Sequence, residues 1–174
     1  MWLRIFFFIS LLFSALALGA ALAHVLALPH KIYLPKEEYF AIQQIYRGWT
    51  LSGIGVVVSL ISTLILAVMV ITKRSMIFLL LAALLCLAGS QAVFWIYAYP
   101  VNKATFNWVT QPDNWEVLRN QWEYSHLAGA VLNLVAFIFL VLAVLKPYKN
   151  REFVFARPPV ENDSEVEKTE DTYS

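Results

Sequence analysis

The chain has 174 residues, of which 60% are hydrophobic and 14% are charged, with a formal net charge of +1. Soluble domains are close to half apolar and about a quarter charged, so this composition excludes an ordinary soluble protein. The near-neutral charge gives no indication of nucleic-acid binding. The sequence contains no phosphate-binding glycine loop and no paired-cysteine metal motif.

Four long segments without a charged residue follow one another at 5–28, 49–72, 75–102 and 127–145. A transmembrane helix needs about 20 apolar residues to cross roughly 30 Å of hydrocarbon. The apolar runs are continuous rather than alternating, which excludes membrane-barrel strands. The sequence therefore predicts an all-α, polytopic membrane protein. Residues 1–150 would form a four-transmembrane-helix bundle with spans at about 5–28, 50–71, 76–99 and 127–145 and two structured outer loops.

The first apolar segment could be a secretory signal, because the small-residue triplet Ala21–Ala23 resembles a cleavage site. Its apolar run of 24 residues exceeds the usual signal core of about 7–15, so we expect an uncleaved helix. His24 lies four residues before the end of this segment at Leu28. An ionisable group inside a span is expected to face the bundle interior.

The connections between the spans differ in length. The second and third spans are joined by a tight hairpin at 72–75. In the first long loop, Pro35 precedes three charged residues, which favours a short helix at 36–49 that feeds directly into the second span. In the second long loop, Asp113 and Glu116 match a capping box that starts the last helix near Asn114.

The distribution of cations predicts the orientation of the bundle, since Lys and Arg concentrate in short cytoplasmic segments beside the membrane. The side with both termini and the hairpin carries eight cations: Arg4, Lys73, Arg74, Lys146, Lys149, Arg151, Arg157 and Lys168. The other side carries five: Lys31, Lys36, Arg47, Lys103 and Arg119. Both termini are therefore predicted to be cytoplasmic, with 151–174 as a disordered acidic tail. Compact size and short loops suggest a bacterial inner membrane.

The last predicted helix carries the most informative pattern. Residues spaced by four, three, four, three and four positions form a stripe of mixed character: Trp115, Arg119, Trp122, His126, Gly129 and Asn133. At about 100° per residue they fall within roughly an 80° arc of one helix. Because this stripe runs from a charged segment into an apolar one, we expect it to line an outward-facing cleft at the membrane boundary.

Each stripe residue has a functional and a structural interpretation. In the functional interpretation, His126 is a proton acceptor or a ligand of a metal or haem. In the structural interpretation, it is a histidine at the membrane interface that is hydrogen-bonded to water. Arg119 would anchor an anionic or phenolate oxygen, or form surface ion pairs with Glu116 and Glu123. Trp115 and Trp122 would stack on a flat ligand or belong to an aromatic belt.

Three further residues complete the candidate site. Asn133 extends the stripe into the last span, where it would bind a ligand or a neighbouring helix. Asn102 lies in the second long loop, where its side chain could cap the cleft. His24 and His126 would lie at similar depth and could face each other if the first and last spans are neighbours.

The Pro-x-Asn pair at Pro100 and Asn102 and the string Trp115-x3-Arg119-x2-Trp122-x3-His126, which leads into the last span, together resemble the anthrone oxygenase-like family. These are small four-helix membrane proteins whose bacterial branch is largely uncharacterised. The resemblance implies oxidation of anthrones to anthraquinones by molecular oxygen without a conventional cofactor. It makes His126 the candidate base, Arg119 the anchor of a phenolate or enolate, and the tryptophans the stacking walls.

The chain departs from the family pattern after the histidine. A basic residue is expected about one turn later, whereas this sequence has Leu127, Ala128 and Gly129. The departure weakens any transfer of anion-stabilising chemistry from the family.

Three functions remain open from the sequence. The first is an integral membrane protein that binds a small lipophilic or aromatic molecule beside membrane lipid, with His126, Arg119 and His24 as catalytic candidates and no cofactor or metal. The second is a haem- or metal-binding redox protein in which His24 and His126 are ligands. The third is a non-enzymatic assembly or regulatory subunit, which would imply a homo-oligomer or another partner.

Overall fold

In a computed structural model, residues 1–46 and 48–146 are described, with the backbone alone at 50–52. Within these ranges the chain is all-helical, with 85% helix and no strand. The α-helices are α1 (Trp2–Lys31), α2 (Lys36–Gln43), α3 (Thr50–Met69), α4 (Arg74–Val93), α5 (Tyr99–Ala104) and α6 (Trp115–Leu145). A 3-10 turn (Gln44–Tyr46) follows α2, and a π turn (Phe94–Ala98) joins α4 to α5. The predicted acidic tail at 151–174 lies outside the described residues.

Three helical stretches are long and apolar enough to cross a membrane: Trp2–Lys31, Arg74–Ala104 and Trp115–Leu145. The apolar part of α3, Gly53–Met69, is shorter. The length and composition of the three stretches indicate a multi-pass membrane protein. Three of the four predicted spans therefore lie in helices that are long enough to cross a membrane.

The four long helices pack side by side, with α1 between α3 and α6 and with α4 on the other side of α3 and α6. Small residues allow close approach: a Cβ added at Gly55 would lie 3.4 Å from the Phe13 carbonyl oxygen. Hydroxyl groups join α1 to α3, where Ser10 Oγ lies 2.6 Å from Thr63 Oγ1. Such small-residue and hydroxyl contacts are typical of helix pairs in membranes.

Two predicted elements differ in the structure. The first-loop helix does not continue directly into the second span. The helical path is interrupted before α3 at Gly48, whose φ of 86° is readily adopted only by glycine. The predicted capping box does not form, since α6 begins after Asn114 without a side-chain cap. The first apolar segment lies within α1, which continues through Pro29 to Lys31.

The segment after α5 makes an unusual turn. Phe106, Asn107 and Trp108 all have positive φ angles, of 50°, 56° and 63°. This left-handed conformation costs roughly 1–2 kcal/mol per non-glycine residue. Thr105 Oγ1 accepts the Trp108 N–H at 3.1 Å, and Gln44 Nε2 donates to the Trp108 carbonyl at 2.7 Å. The turn inserts Trp108 into the protein, where its side chain is 3% exposed.

Substitution at Phe106 tests the strain in this turn, because the Phe106 side chain is exposed and little packing is lost with it. Phe106→Gly should be more stable than Phe106→Ala by about 1 kcal/mol, since only glycine adopts the left-handed conformation without a Cβ clash. Chemical unfolding of both variants in detergent measures the difference. Equal free energies of unfolding would show that position 106 is not strained.

Candidate functional site

One end of the bundle is covered by α2, α5 and the turn that follows α5, and we call it the capped end. Its interior is rich in aromatic side chains from several elements. The buried members of this cluster are Tyr39, Phe40, Ala98, Val101, Trp108 and Trp122. Trp108 packs edge-on against Trp122 at a centroid distance of 5.8 Å. The stripe of α6 therefore faces protein at this end.

The structure brings His24 of α1 and His126 of α6 into direct contact. Their rings are stacked, with centroids 4.6 Å apart and planes at 18°. Trp122 touches both, at 5.2 Å from His24 and 4.1 Å from His126. Tyr46 and Trp49 cover His24 from the loop side, at 4.2 and 5.3 Å. His24 is therefore surrounded by aromatic rings, whereas His126 is contacted by the rings of His24 and Trp122.

Each histidine keeps a buried nitrogen with no hydrogen-bond partner among the described residues: Nδ1 of His24 and Nε2 of His126. Buried polar atoms in proteins are nearly always paired with protein or with ordered water. Two unpaired nitrogens in stacked rings therefore mark a place where a water molecule or a ligand group fits.

A buried ion pair lies close to the histidines. Lys31 Nζ of α1 is 2.9 Å from Glu123 Oε1 of α6, and these side chains are 4% and 0% exposed. The ammonium group lies over the rings of Tyr46 and Trp122, at 4.9 and 5.2 Å from their centroids. Burying the two charges costs several kcal/mol per ion before they pair. A gain in stability therefore does not by itself explain why this ion pair is buried here.

Two residues of α2 complete the surroundings of Glu123. The Tyr39 hydroxyl donates to Glu123 Oε1 at 2.9 Å, and Gln43 Nε2 donates to the same oxygen at 3.2 Å. Burial raises the pKa of Tyr39 well above its ordinary value of about 10, and the nearby Glu123 charge raises it further. Tyr39 is therefore held as a neutral hydrogen-bond donor.

Arg119 is buried beside this network. Its Nη1 donates to the Leu34 carbonyl oxygen at 2.9 Å, and its guanidinium carbon lies 4.5 Å from the centre of the Trp115 ring. The alternative of a surface ion pair between Arg119 and Glu123 is not formed, because Glu123 is buried and pairs with Lys31. Arg119 anchors the start of α2 to α6, and its Nε is buried and unpaired within the described ranges.

The remaining predicted site residues are Asn102, Trp115 and Asn133. Trp122 Nε1 donates to Asn102 Oδ1 at 2.8 Å, so Asn102 holds the tryptophan that touches both histidines. Trp115 packs on Tyr39 and Phe40, each with a centroid distance of 6.2 Å. Asn133 donates to the Gly129 carbonyl of its own helix, about 10 Å along α6 from His126. Among the described residues, Asn133 makes no hydrogen bond to the side chains around the histidines.

Among the described residues, aromatic side chains of Tyr46, Trp49 and Trp122 pack around the histidine pair. Two open surface hollows lie elsewhere in the described part of the chain. One, of about 350 Å³, is lined by α2 and the left-handed turn, including Phe40, Gln44 and Trp108. The other, of about 490 Å³, lies between the π turn and α6, beside Tyr97 and Gln121.

Sequence reasoning missed the buried charges and their partners. The missed residues are Lys31, Tyr39, Gln43 and Glu123. A signal existed: Lys31 follows His24 by seven residues, which places both on one face of α1. Tyr39 and Gln43 are likewise one turn apart on α2. The sequence could not show that these faces meet Glu123, because that depends on how α2 folds back over the bundle.

The geometry argues against the two histidines as metal or haem ligands. No group of three or more His, Cys, Asp or Glu side chains is placed to hold a metal ion in the part of the chain that the structure describes. Rings stacked at a centroid distance of 4.6 Å leave no slot for a porphyrin between them. The residues present do not fit either group.

No family model, curated protein or solved structure matches the chain. The resemblance to the anthrone oxygenase-like family therefore rests on the sequence motif alone.

Replacing Tyr39 tests the buried network. At pH 7, Tyr39→Phe should lower the free energy of unfolding by about 1.5–3 kcal/mol, the usual range for a hydrogen bond to a charged group. Above about pH 10 the unfolded chain loses the tyrosine proton that the folded chain keeps, so wild-type stability falls by about 1.4 kcal/mol per pH unit from this group.

The variant lacks that titration, and the stability gap between wild type and Tyr39→Phe should therefore shrink as the pH rises above about 10. Unfolding in detergent at a series of pH values measures the gap. A gap that stays constant through this range would contradict a raised pKa for Tyr39.

Proposed function

We propose that this membrane protein binds a small lipophilic aromatic molecule at its capped end, with the His24–His126 pair as the proton acceptor. The observation that supports this most is the pair of unpaired buried nitrogens in stacked rings. A histidine that lacks a structural hydrogen bond on one nitrogen is available for proton transfer. A purely structural histidine would be expected to have that nitrogen paired.

The surroundings of the histidines suit a flat ligand. Trp122 contacts both histidine rings, and the packing of Tyr46 and Trp49 on His24 supports the fit of aromatic rings at this position. Aromatic ligands gain stacking contacts of about 0.5–1.5 kcal/mol per ring pair in such a site. In this proposal the Tyr46 and Trp49 side chains rotate away from His24 when the ligand binds, and the ligand occupies their place.

The reaction we propose follows the resemblance to the anthrone oxygenase-like family. One oxygen atom of O₂ becomes the new carbonyl oxygen of an anthraquinone, and the other leaves as water with the two hydrogens of the anthrone methylene. The histidine pair accepts the first methylene proton, which leaves a carbanion delocalised over the ring system and able to reduce O₂. Arg119 stabilises the charge of a phenolate or enolate oxygen from beside Trp115.

A direct test uses the full chain in detergent micelles with 1,8-dihydroxyanthrone under air. Formation of the anthraquinone by absorbance and uptake of O₂ are measured together, against protein-free micelles. His126→Phe keeps an aromatic ring in the stack and removes its nitrogens. We expect it to lower the protein-dependent rate by about 10²–10⁴-fold, the usual contribution of a positioned base.

His30→Ala is the matched control, because His30 is an exposed histidine in the last turn of α1. It should keep the wild-type rate. A rate that is equal in wild type, His126→Phe and protein-free micelles would contradict the enzymatic proposal. Tryptophan quenching by the anthraquinone product tests binding separately from the reaction. If the protein neither accelerates the reaction nor binds the anthraquinone, the non-enzymatic subunit is the better explanation.

We also propose four membrane crossings, with α3 as the second, both termini cytoplasmic and the capped end outside, in a bacterial inner membrane. The helix Thr50–Met69 has 20 residues, about 30 Å in length. It packs along α1 and α4 as a full member of the bundle.

Single cysteines in a Cys86→Ser background test this topology. The exposed positions Tyr33 and Thr110 should react with a membrane-impermeant maleimide on intact bacteria when changed to cysteine. Thr72→Cys should react only after the membrane is opened. If α3 does not cross the membrane, positions 33 and 72 will instead be labelled from the same side.

A further inference from the structure

The hollow between the π turn and α6 lies on the side of α6 that faces away from the histidines. Tyr124, which lines it, is two residues from both Trp122 and His126, or about 160° around the helix. The volume of this hollow, about 490 Å³, falls in the usual range for ligand clefts, roughly 300–1,000 Å³. We call it the π-turn groove, and its walls include Val93, Tyr97, Asn120, Gln121, Tyr124 and Ala128.

The groove opens where α4 is followed by the π turn. One turn farther from the capped end, α4 and α6 pack tightly, since a Cβ added at Gly89 would lie 3.5 Å from Leu132 Cδ1. Pro100 has no N–H to donate to the carbonyl four residues earlier, and the π turn lies just before it. Gln121 Nε2 donates to the Tyr97 carbonyl oxygen at 3.0 Å and joins the two walls. The groove is therefore held open by the backbone of two packed helices.

The groove lies against lipid at the membrane boundary. Its walls belong to two of the three helical stretches that are long and apolar enough to cross a membrane. Trp95, Tyr97 and Tyr99 are exposed on this side, and exposed Trp and Tyr side chains are typical of the headgroup level. The exposed Val131 lies seven residues after Tyr124 on the same face of α6. The groove is thus continuous with the apolar surface that faces the bilayer.

The chemistry of the groove fits a phospholipid. None of the described residues that line it is charged, so it offers no partner for the carboxylate of a free fatty acid. The amides of Asn120 and Gln121 can donate to ester carbonyl groups, whereas Val93 and Ala128 offer apolar contact to an acyl chain. A partner helix fits less well, because at a diameter of about 10 Å only about one turn of it would fill this volume.

We propose that the π-turn groove binds one phospholipid from the membrane leaflet at the capped end. The ester region of the lipid accepts hydrogen bonds from the amides of Asn120 and Gln121. One acyl chain fills the groove over Val93 and Ala128 and then follows the surface of α6 past Val131. Because the lipid lies on the opposite side of α6 from the histidines, this site does not depend on the proposed ligand site.

The first test locates a photoreactive lipid. The full chain is reconstituted in vesicles of phosphatidylethanolamine and phosphatidylglycerol with a trace of phosphatidylcholine that carries a diazirine on one acyl chain. After illumination, labelled residues are mapped by mass spectrometry. Labelling of Val93, Tyr97 and Ala128 should exceed that of Leu16 and Ile61, which are exposed on α1 and α3, by about tenfold, as expected for a lipid held by two hydrogen bonds.

The second test fills the groove. Ala128→Phe places a ring where the acyl chain would lie, at an exposed position where no core packing is disturbed. Native mass spectrometry of the detergent-solubilised chain should show about tenfold lower occupancy by one phospholipid than in wild type. Ala15→Phe is the matched control, because Ala15 is an exposed alanine of α1, and it should keep the wild-type occupancy. Asn120→Leu should lower the occupancy severalfold, and it provides a further measurement if Ala128→Phe does not fold.

The outcomes separate the possible occupants. Even labelling of all exposed apolar positions, with equal occupancy in wild type and Ala128→Phe, would overturn the site and leave only a general layer of lipid around the bundle. A dimer mass that is lost in Ala128→Phe, with no lipid retained by wild type, would show that a second copy occupies the groove. Retention of added oleate in place of phospholipid would contradict recognition of an uncharged ester.

Discussion

The capped end depends on one buried ion pair. Lys31 comes from the last turn of α1 and Glu123 from the third turn of α6, and their charged groups are 2.9 Å apart and removed from water. Charges in such a place are tolerated only if they are paired and further hydrogen-bonded. Tyr39 and Gln43 supply those bonds from α2, so the same carboxylate fixes three helices relative to one another.

The position of the histidines follows from this arrangement. His24 lies two turns before Lys31 on the same face of α1, and His126 lies three residues after Glu123 on α6. Once the ion pair sets the register of the two helices, the two imidazole rings meet. Trp108 reaches the cluster through three left-handed residues, which indicates that tight aromatic packing here outweighs backbone strain of roughly 1–2 kcal/mol per residue.

The rest of the bundle follows simpler rules. Between the capped end and the opposite end, helices pack through leucine, alanine and hydroxyl side chains, as membrane helices generally do. Among the residues that the structure describes, buried polar atoms without a hydrogen-bond partner concentrate at the capped end, including those of His24, Arg119 and Glu123. Unsatisfied polar groups are costly wherever they are buried, and their concentration at one place is the physical reason for assigning the proposed reaction there rather than to the two surface hollows.

The sequence by itself determined the helical class, the long apolar helices and the inward stripe of α6, because these depend on composition and on a period of 3.6 residues. It also placed His24 and His126 at similar depth. Only the tertiary structure decided that Glu123 pairs with Lys31 instead of lying on the surface near Arg119, and that aromatic rings pack around the histidine pair. Those outcomes depend on α2 and the left-handed turn folding back over α1 and α6, and such contacts between residues about 80 positions apart leave no periodic signal in the chain.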